Sequence, residues 1–134
     1  MKLRKYPSAK SNGPKYGNKK VVLDGIKFDS IAESKYYAVA KNFAKKNALE
    51  LRLQESFILL PKHHRNGKAV QAISYKPDFT FWDGDRLAKV VDVKGVETKE
   101  FRIKAKWFCY KYDCDLILAK YDSYKNLFSE TVFS

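Results

Sequence analysis

The chain is poor in the residues that would tie it to an oxidising compartment, a membrane or a zinc site. It has two cysteines, Cys109 and Cys114, in 134 residues. No Cys or His neighbour stands at ligand spacing, so they do not make a structural zinc site. The opening M-K-L-R-K-Y-P-S has no apolar core, so a secretory signal is not expected. Two reduced thiols in an intracellular, cytoplasmic protein are the corresponding expectation. No apolar run approaches the ~18 residues of a membrane span. Histidine is limited to His63 and His64. Adjacent side chains diverge on a strand, so these two are not expected to share a metal ion. Acidic residues are also scarce, 15 Asp+Glu against 27 Lys+Arg, for a net charge of +12. That excess favours a polyanionic partner, with nucleic acid ahead of an anionic membrane surface.

Apolar material is plentiful. Hydrophobic residues make up 45% and aromatics 15%, too much for a disordered chain and enough for one domain with a real core. Residues 1–20 carry seven basic residues and no acid, broken by Pro7, Gly13, Pro14 and Gly17. They read as a flexible basic arm ahead of a single domain over 21–134, with Lys15, Lys19 and Lys20 as phosphate contacts. Asp24-Gly25 between apolar alternations predicts a β-hairpin over Val21–Phe28, which would extend the sheet edge or reach a second subunit. Ser30 with Glu33 fits a capping box, and the helical spacing of Tyr36, Val39 and Phe43 carries that helix to about Lys46.

Leu49–Leu60 reads as one extended stretch ended by Pro61. Lys62–Ala72 reads as a basic loop with an Asn66-Gly67 turn, in which Lys62, His63, His64 and Arg65 are phosphate-contact candidates. Thr98 is a plausible N-cap for a second helix ending near Tyr112. Phe101, Ala105, Phe108 and Tyr112 form its apolar stripe, and Lys99, Arg102 and Lys106 line another face. Asp115–Tyr121 is a buried strand, and Tyr124–Phe128 reads as a turn of helix. The order hairpin, helix, three strands, helix, strand implies a crossover, hence an α/β fold with a mixed sheet flanked by helices.

The chemistry concentrates in Y-K-P-D-F-T-F-W-D-G-D-R-L-A-K-V-V-D-V-K-G, residues 75–95. It reads as two strands joined at Asp83-Gly84, with Lys76, Asp78 and Thr80 on one face of the first. Val90, Asp92 and Lys94 share a face of the second. Carboxylates and an ammonium are costly on apolar strands unless something compensates them, and a divalent metal with a phosphate would do so. Magnesium takes carboxylate, carbonyl, water and phosphate oxygens. Asp78, Asp92 and the Val93 carbonyl are candidate ligands, with Lys94 placed to contact a scissile phosphate. Glu33 has two readings, a cap of its own helix or a further ligand.

Pro77-Asp78 followed by Asp92-Val93-Lys94 resembles the PD-(D/E)XK nuclease signature, and Glu33 matches the helix-borne acid that many members carry. More narrowly, K-Y-G-N-K-K (15–20), D-G-I-K-F-D-S (24–30), Y-x-x-D-F (75–79) and D-V-K-G (92–95) are similar to a family of small phage-encoded proteins of that superfamily. The Y-x-P-D-F and acid-x-Lys-Gly strands also resemble phage Holliday-junction resolvases, with Asp92 where those carry glutamate. The resemblance implies a restriction-endonuclease-like αβββαβ core with a four- to five-stranded sheet. It implies a dimeric endonuclease dependent on Mg2+, with Mn2+ as a substitute, acting on branched DNA in phage recombination or DNA processing. Glu33, Asp78, Asp92 and Lys94 are its implied catalytic set. Two rivals remain: a nuclease of linear duplex or flap DNA, and a non-catalytic basic module that binds DNA by charge alone.

Overall fold

The computed structural model describes residues 19–134, so residues 1–18 of the basic arm, including Lys15, lie outside the described residues. In chain order the elements are β1 (Val21–Leu23), β2 (Ile26–Phe28), α1 (Ile31–Lys46), β3 (Glu50–Leu53), β4 (Phe57–Leu60) and β5 (His63–Arg65). They continue as β6 (Lys68–Val70), β7 (Ile73–Tyr75), β8 (Phe79–Asp83), β9 (Arg86–Val93), α2 (Lys99–Tyr112), β10 (Ile117–Asp122) and β11 (Leu127–Val132). The chain divides into two compact units, one ending at Ala38 and one spanning Val39–Ser134. The boundary falls inside α1, where no glycine, proline or change of composition marks it.

In the first unit, β1 and β2 pair antiparallel as a sheet of their own. Asp24 (φ 54°) and Gly25 (φ 74°) are both left-handed, as the tightest hairpin turn requires. The hairpin was predicted; its joining the central sheet was not the outcome. Phe28 is buried, with its ring 5.1 Å from that of Tyr37. The Glu33 amide donates to Ser30 Oγ at 3.0 Å, which is the N-cap half of the predicted capping box.

The second unit is built on a mixed five-stranded sheet of order β11-β10-β9-β8-β3. Only β9 and β10 run parallel, because α2 crosses over between them. Phe79 pairs with Val91 and Phe81 with Lys89. Their face meets Phe43 of α1, edge-on to Phe81 at 5.1 Å. The opposite face carries Val90, which packs with Phe101, Ala105 and Phe108 of α2 and with Phe57, Leu59 and Tyr75. The stripe predicted on α2 therefore faces the core. Thr98 caps that helix through a 3.1 Å bond from the Phe101 amide, and Asp113 (φ 50°) closes it in the left-handed conformation.

Four local readings are corrected. The stretch 49–60 is two strands in two sheets, broken at Gln54 (φ 53°), whose amide turns to donate to the Asp78 carbonyl. The basic loop is a hairpin, with β5 on β6 and Asn66 and Gly67 both at positive φ. The strand read through Ile73–Trp82 breaks at Lys76–Asp78, so that β7 pairs with β4 and β8 with β9 and β3. Pro77 has no amide hydrogen to give a ladder, and this fixes the break. The helical turn read at 124–128 is a turn into β11. Asp122 Oδ1 accepts from the amides of Tyr124 and Lys125 there, and β11 then pairs along β10.

Both cysteines are free. Burial pushes the Cys109 thiol up, and it pushes Cys114 from 9.0 to about 11. The folded chain then keeps the Cys114 proton where the unfolded chain loses it. Its contribution to stability is complete below pH 9 and disappears as pH rises through about 11. Urea midpoints at pH 8 and 10.5 should therefore fall further in the wild type than in Cys114→Ser. Phe108→Ala, which empties the junction of α2 with β4, β7 and β9, should destabilise the fold by about 3–5 kcal/mol in urea melts.

Candidate acid–lysine cleft

Two sequence-distant carboxylates are brought together by the pairing of β8 with β9. Phe79 stands opposite Val91, and one step further along that register Asp78 falls opposite Asp92. Like charges directly opposite on a sheet repel, so the arrangement is stable only with compensating donors or cations. The Val93 amide donates to Asp78 Oδ2 at 2.8 Å, so at the end of β9 a side chain takes the place of a ladder carbonyl. The Lys94 amide donates the other way, to the Ala119 carbonyl of β10 at 3.0 Å. An extended residue presents its N–H and C=O to the same neighbour. The Val93 carbonyl therefore points to the β8 side, where Asp78 lies.

Asp92 is 2% exposed. The Tyr75 hydroxyl donates to its Oδ2 at 2.5 Å, and Lys94 Nζ stands 3.9 Å from its Oδ1. Burial, and then the carboxylates of Asp92 and Asp78, push the Tyr75 phenol far above the usual tyrosine range, so Tyr75 is a hydrogen-bond donor at any working pH. Lys94 also lies over the Phe101 ring at 4.8 Å, while a third of its side chain remains exposed. Desolvation on one side and solvent on the other leave this ammonium available to an incoming anion.

Asp92 and Lys94 open onto a cleft of about 520 Å3, lined also by Ser74, Tyr75, Lys76, Thr98, Glu100, Phe101 and Lys104. Lys104 is paired with Glu100 at 3.4 Å on its rim. The N-cap of α2 thus borders the same cleft, where a helix start favours negative charge. The donor set is oxygen only: two carboxylates and a main-chain carbonyl. Such a set fits a hard divalent cation and not a thiophilic one. Among the described residues, no group of three or more His, Cys, Asp and Glu side chains could hold a metal ion.

Of the residues singled out by sequence, Asp78, Asp92, Val93 and Lys94 stand together, with Lys76 on the cleft wall. Glu33 belongs to the first unit, where it is buried in the first turn of α1. Lys62 precedes β5, and His64 and Arg65 are exposed on that strand. His63 Nδ1 lies 2.8 Å from the Pro61 carbonyl, turned away from its neighbour. Lys19, Lys20, Lys99 and Lys106 are exposed. Arg102 is committed elsewhere: it pairs with Glu97 at 2.5 Å, donates to the Ser134 carbonyl at 2.9 Å and stacks over Phe133.

Tyr75 escaped sequence reasoning. Uninterrupted alternation puts it on the face opposite Asp78; the break at Pro77 resets that alternation. The Y-x-P spacing was the available signal, since a proline inside a strand pattern argues for an interruption. A second polar cluster was missed as well. Glu55 Oε1 accepts from Thr80 Oγ1 and Trp82 Nε1, both at 2.9 Å, and its Oε2 pairs with Arg52 at 3.1 Å. Arg52 stacks on Trp82 at 4.5 Å, so this set satisfies the buried Thr80 and secures the β3 edge of the sheet.

Fold and site together define a mixed α/β protein with an acid–lysine cleft where β7, β9 and the start of α2 meet. A family model described as "Protein of unknown function (DUF1064)" matches residues 13–126, and the chain belongs to that family. No curated protein and no solved structure matches the chain. No helix among the described residues is long and apolar enough to cross a membrane.

Because the Val93 amide has its acceptor in Asp78, Asp78→Ala should cost about 1–3 kcal/mol in chemical denaturation. Asp78→Asn keeps an acceptor oxygen and should cost less.

Proposed function

We propose that the chain is a metal-dependent endonuclease of the PD-(D/E)XK kind, with a restriction-endonuclease-like core. The carrying observation is the meeting of Asp78 and Asp92 across β8 and β9, with Lys94 3.9 Å from Asp92 on the wall of an open cleft. The element order α1, β3, β8, β9, α2, β10 within the chain also supports it. Asp78, Asp92 and the Val93 carbonyl would hold the magnesium ion; Glu33 is the further acid that the resemblance implies. A bound divalent ion supplies Lewis-acid polarisation of the scissile phosphate.

The chain's own residues account for the rest. The Lys94 ammonium offsets negative charge that grows on the phosphoryl oxygens as water attacks phosphorus. A P–O bond forms to the water oxygen as one P–O ester bond breaks; the water gives up a proton and the departing alkoxide oxygen gains one. Lys76 and the α2 start would hold the flanking phosphate on the cleft wall. Lys19, Lys20 and the basic β5–β6 hairpin are further backbone contacts. Arg102, tied to Glu97 and Ser134, is a weaker candidate than Lys99 or Lys106.

Branched DNA is the proposed substrate, and a homodimer with two cleavage centres the proposed form, on the likeness to junction resolvases. A purely electrostatic DNA-binding module is the second reading, favoured by the net charge of +12. It does not account for a buried carboxylate, Asp92, on the wall of a cleft meant for phosphates, with Asp78 opposite it in the register, since both would repel the ligand.

Cleavage of a synthetic four-way junction and of matched linear and flap duplexes tests the reading. The wild type should nick the junction in Mg2+ or Mn2+ and not in EDTA. Asp78→Asn should lower the rate by about 100-fold or more while DNA binding persists. Equal rates on junction and linear DNA would move the substrate to linear duplex. An inert wild type across metals and substrates, binding DNA as tightly as Asp78→Asn, would leave the binding module.

A further inference from the structure

Asp92 is held by a residue from outside its own sheet. Tyr75 ends β7, which pairs with β4 in a separate two-stranded sheet. Its ring is 5% exposed and wedged among the rings of Phe108 (5.2 Å) and Phe101 (6.2 Å) of α2. From that fixed seat its hydroxyl reaches Asp92 Oδ2 at 2.5 Å. Lys94, on the open side, faces the other oxygen, Oδ1. The two oxygens of one carboxylate are thus distinguished. One is bound by a phenol that cannot move without repacking α2 against β7, and the other is turned to the cleft.

We propose that Tyr75 is a positioning residue for the metal centre, whose hydroxyl fixes the Asp92 carboxylate so that Oδ1 is the oxygen presented to a divalent cation. The inference rests on the metal-dependent reading above and extends it to a residue that touches neither substrate nor metal. A carboxylate free to rotate about its last torsion spends part of its time misdirected, and ordering it upon binding costs affinity. A preset carboxylate avoids that cost. Loss of the partner that orients a ligand typically weakens metal affinity about 10-fold or more. Tyr75 also lies on the segment that returns from the basic β5–β6 hairpin, so the residue that sets Asp92 belongs to the part of the chain proposed to meet the DNA backbone.

Tyr75→Phe removes the hydroxyl and keeps the ring. Calorimetric titration of Mn2+ into the DNA-free full chain gives a readout independent of cleavage. The expected result is about 10-fold weaker Mn2+ binding in Tyr75→Phe. Cleavage should then need correspondingly more metal, with the KM for DNA unchanged and the rate recovered when metal saturates. Phe108→Leu is the control: it loosens the same aromatic cluster, should lower the melting temperature at least as much, and should leave Mn2+ affinity within about twofold. Equal or tighter Mn2+ binding by Tyr75→Phe, or the same loss in Phe108→Leu, overturns the positioning role while the nuclease reading stands. A wild type that binds no Mn2+ overturns both. Should Tyr75→Phe not fold, Tyr75→His, which retains a donor, must bind Mn2+ more tightly than Tyr75→Leu, and equality of those two also overturns the role.

Discussion

A carboxylate at the centre of an apolar sheet face is the constraint around which this chain is arranged. Asp92 is flanked in sequence by Val91 and Val93 and almost wholly removed from water. An ionised group there is tolerated only with donors on it. The fold supplies them from two directions: Tyr75 comes from the β4–β7 sheet and Lys94 from just beyond the end of its own strand. The N-terminal side of α2 lines the same cleft. Each needs a particular backbone event: the break at Pro77, the end of β9 at Val93, and the cap at Thr98. The expensive residue therefore accounts for features that would otherwise look incidental.

Asp78 shows how local backbone chemistry serves the site. β7 ends before Pro77, and just ahead of β8 the Asp78 side chain accepts from the Val93 amide of β9. Its carbonyl in turn accepts from Gln54, turning the chain between β3 and β4. One residue thus ties three segments. A purely structural role would need only the acceptor. Two acids at opposed positions of the register, with an ammonium 3.9 Å from one of them, are the part that packing alone does not require.

Much of this was legible in the sequence where local chemistry decides. The Asp24-Gly25 turn, the Ser30 cap and both helices follow from turn residues and periodicity, and the strand that carries Asp92 forms but ends at Val93, before Lys94. The failures have a common cause. Leu49–Leu60 and Ile73–Trp82 each carry unbroken strand periodicity, yet each is divided between two sheets, because partner choice is a long-range matter that period alone does not encode. The same blindness hid Tyr75 and the Glu55–Thr80–Trp82 cluster, whose contacts join residues 17 to 27 positions apart. The strand β11 was missed because its exposed, mixed sequence gains strand character only from pairing with β10.

The central claim is that Asp78, Asp92 and the Val93 carbonyl form a divalent-cation site. Anomalous diffraction from crystals of the wild-type chain soaked in Mn2+ tests it most directly. The account predicts an anomalous peak within about 2–2.5 Å of oxygens from both aspartates, absent in Asp78→Asn crystals treated alike. A wild-type crystal with no peak there, or with manganese held only at the surface away from Asp92, would contradict it.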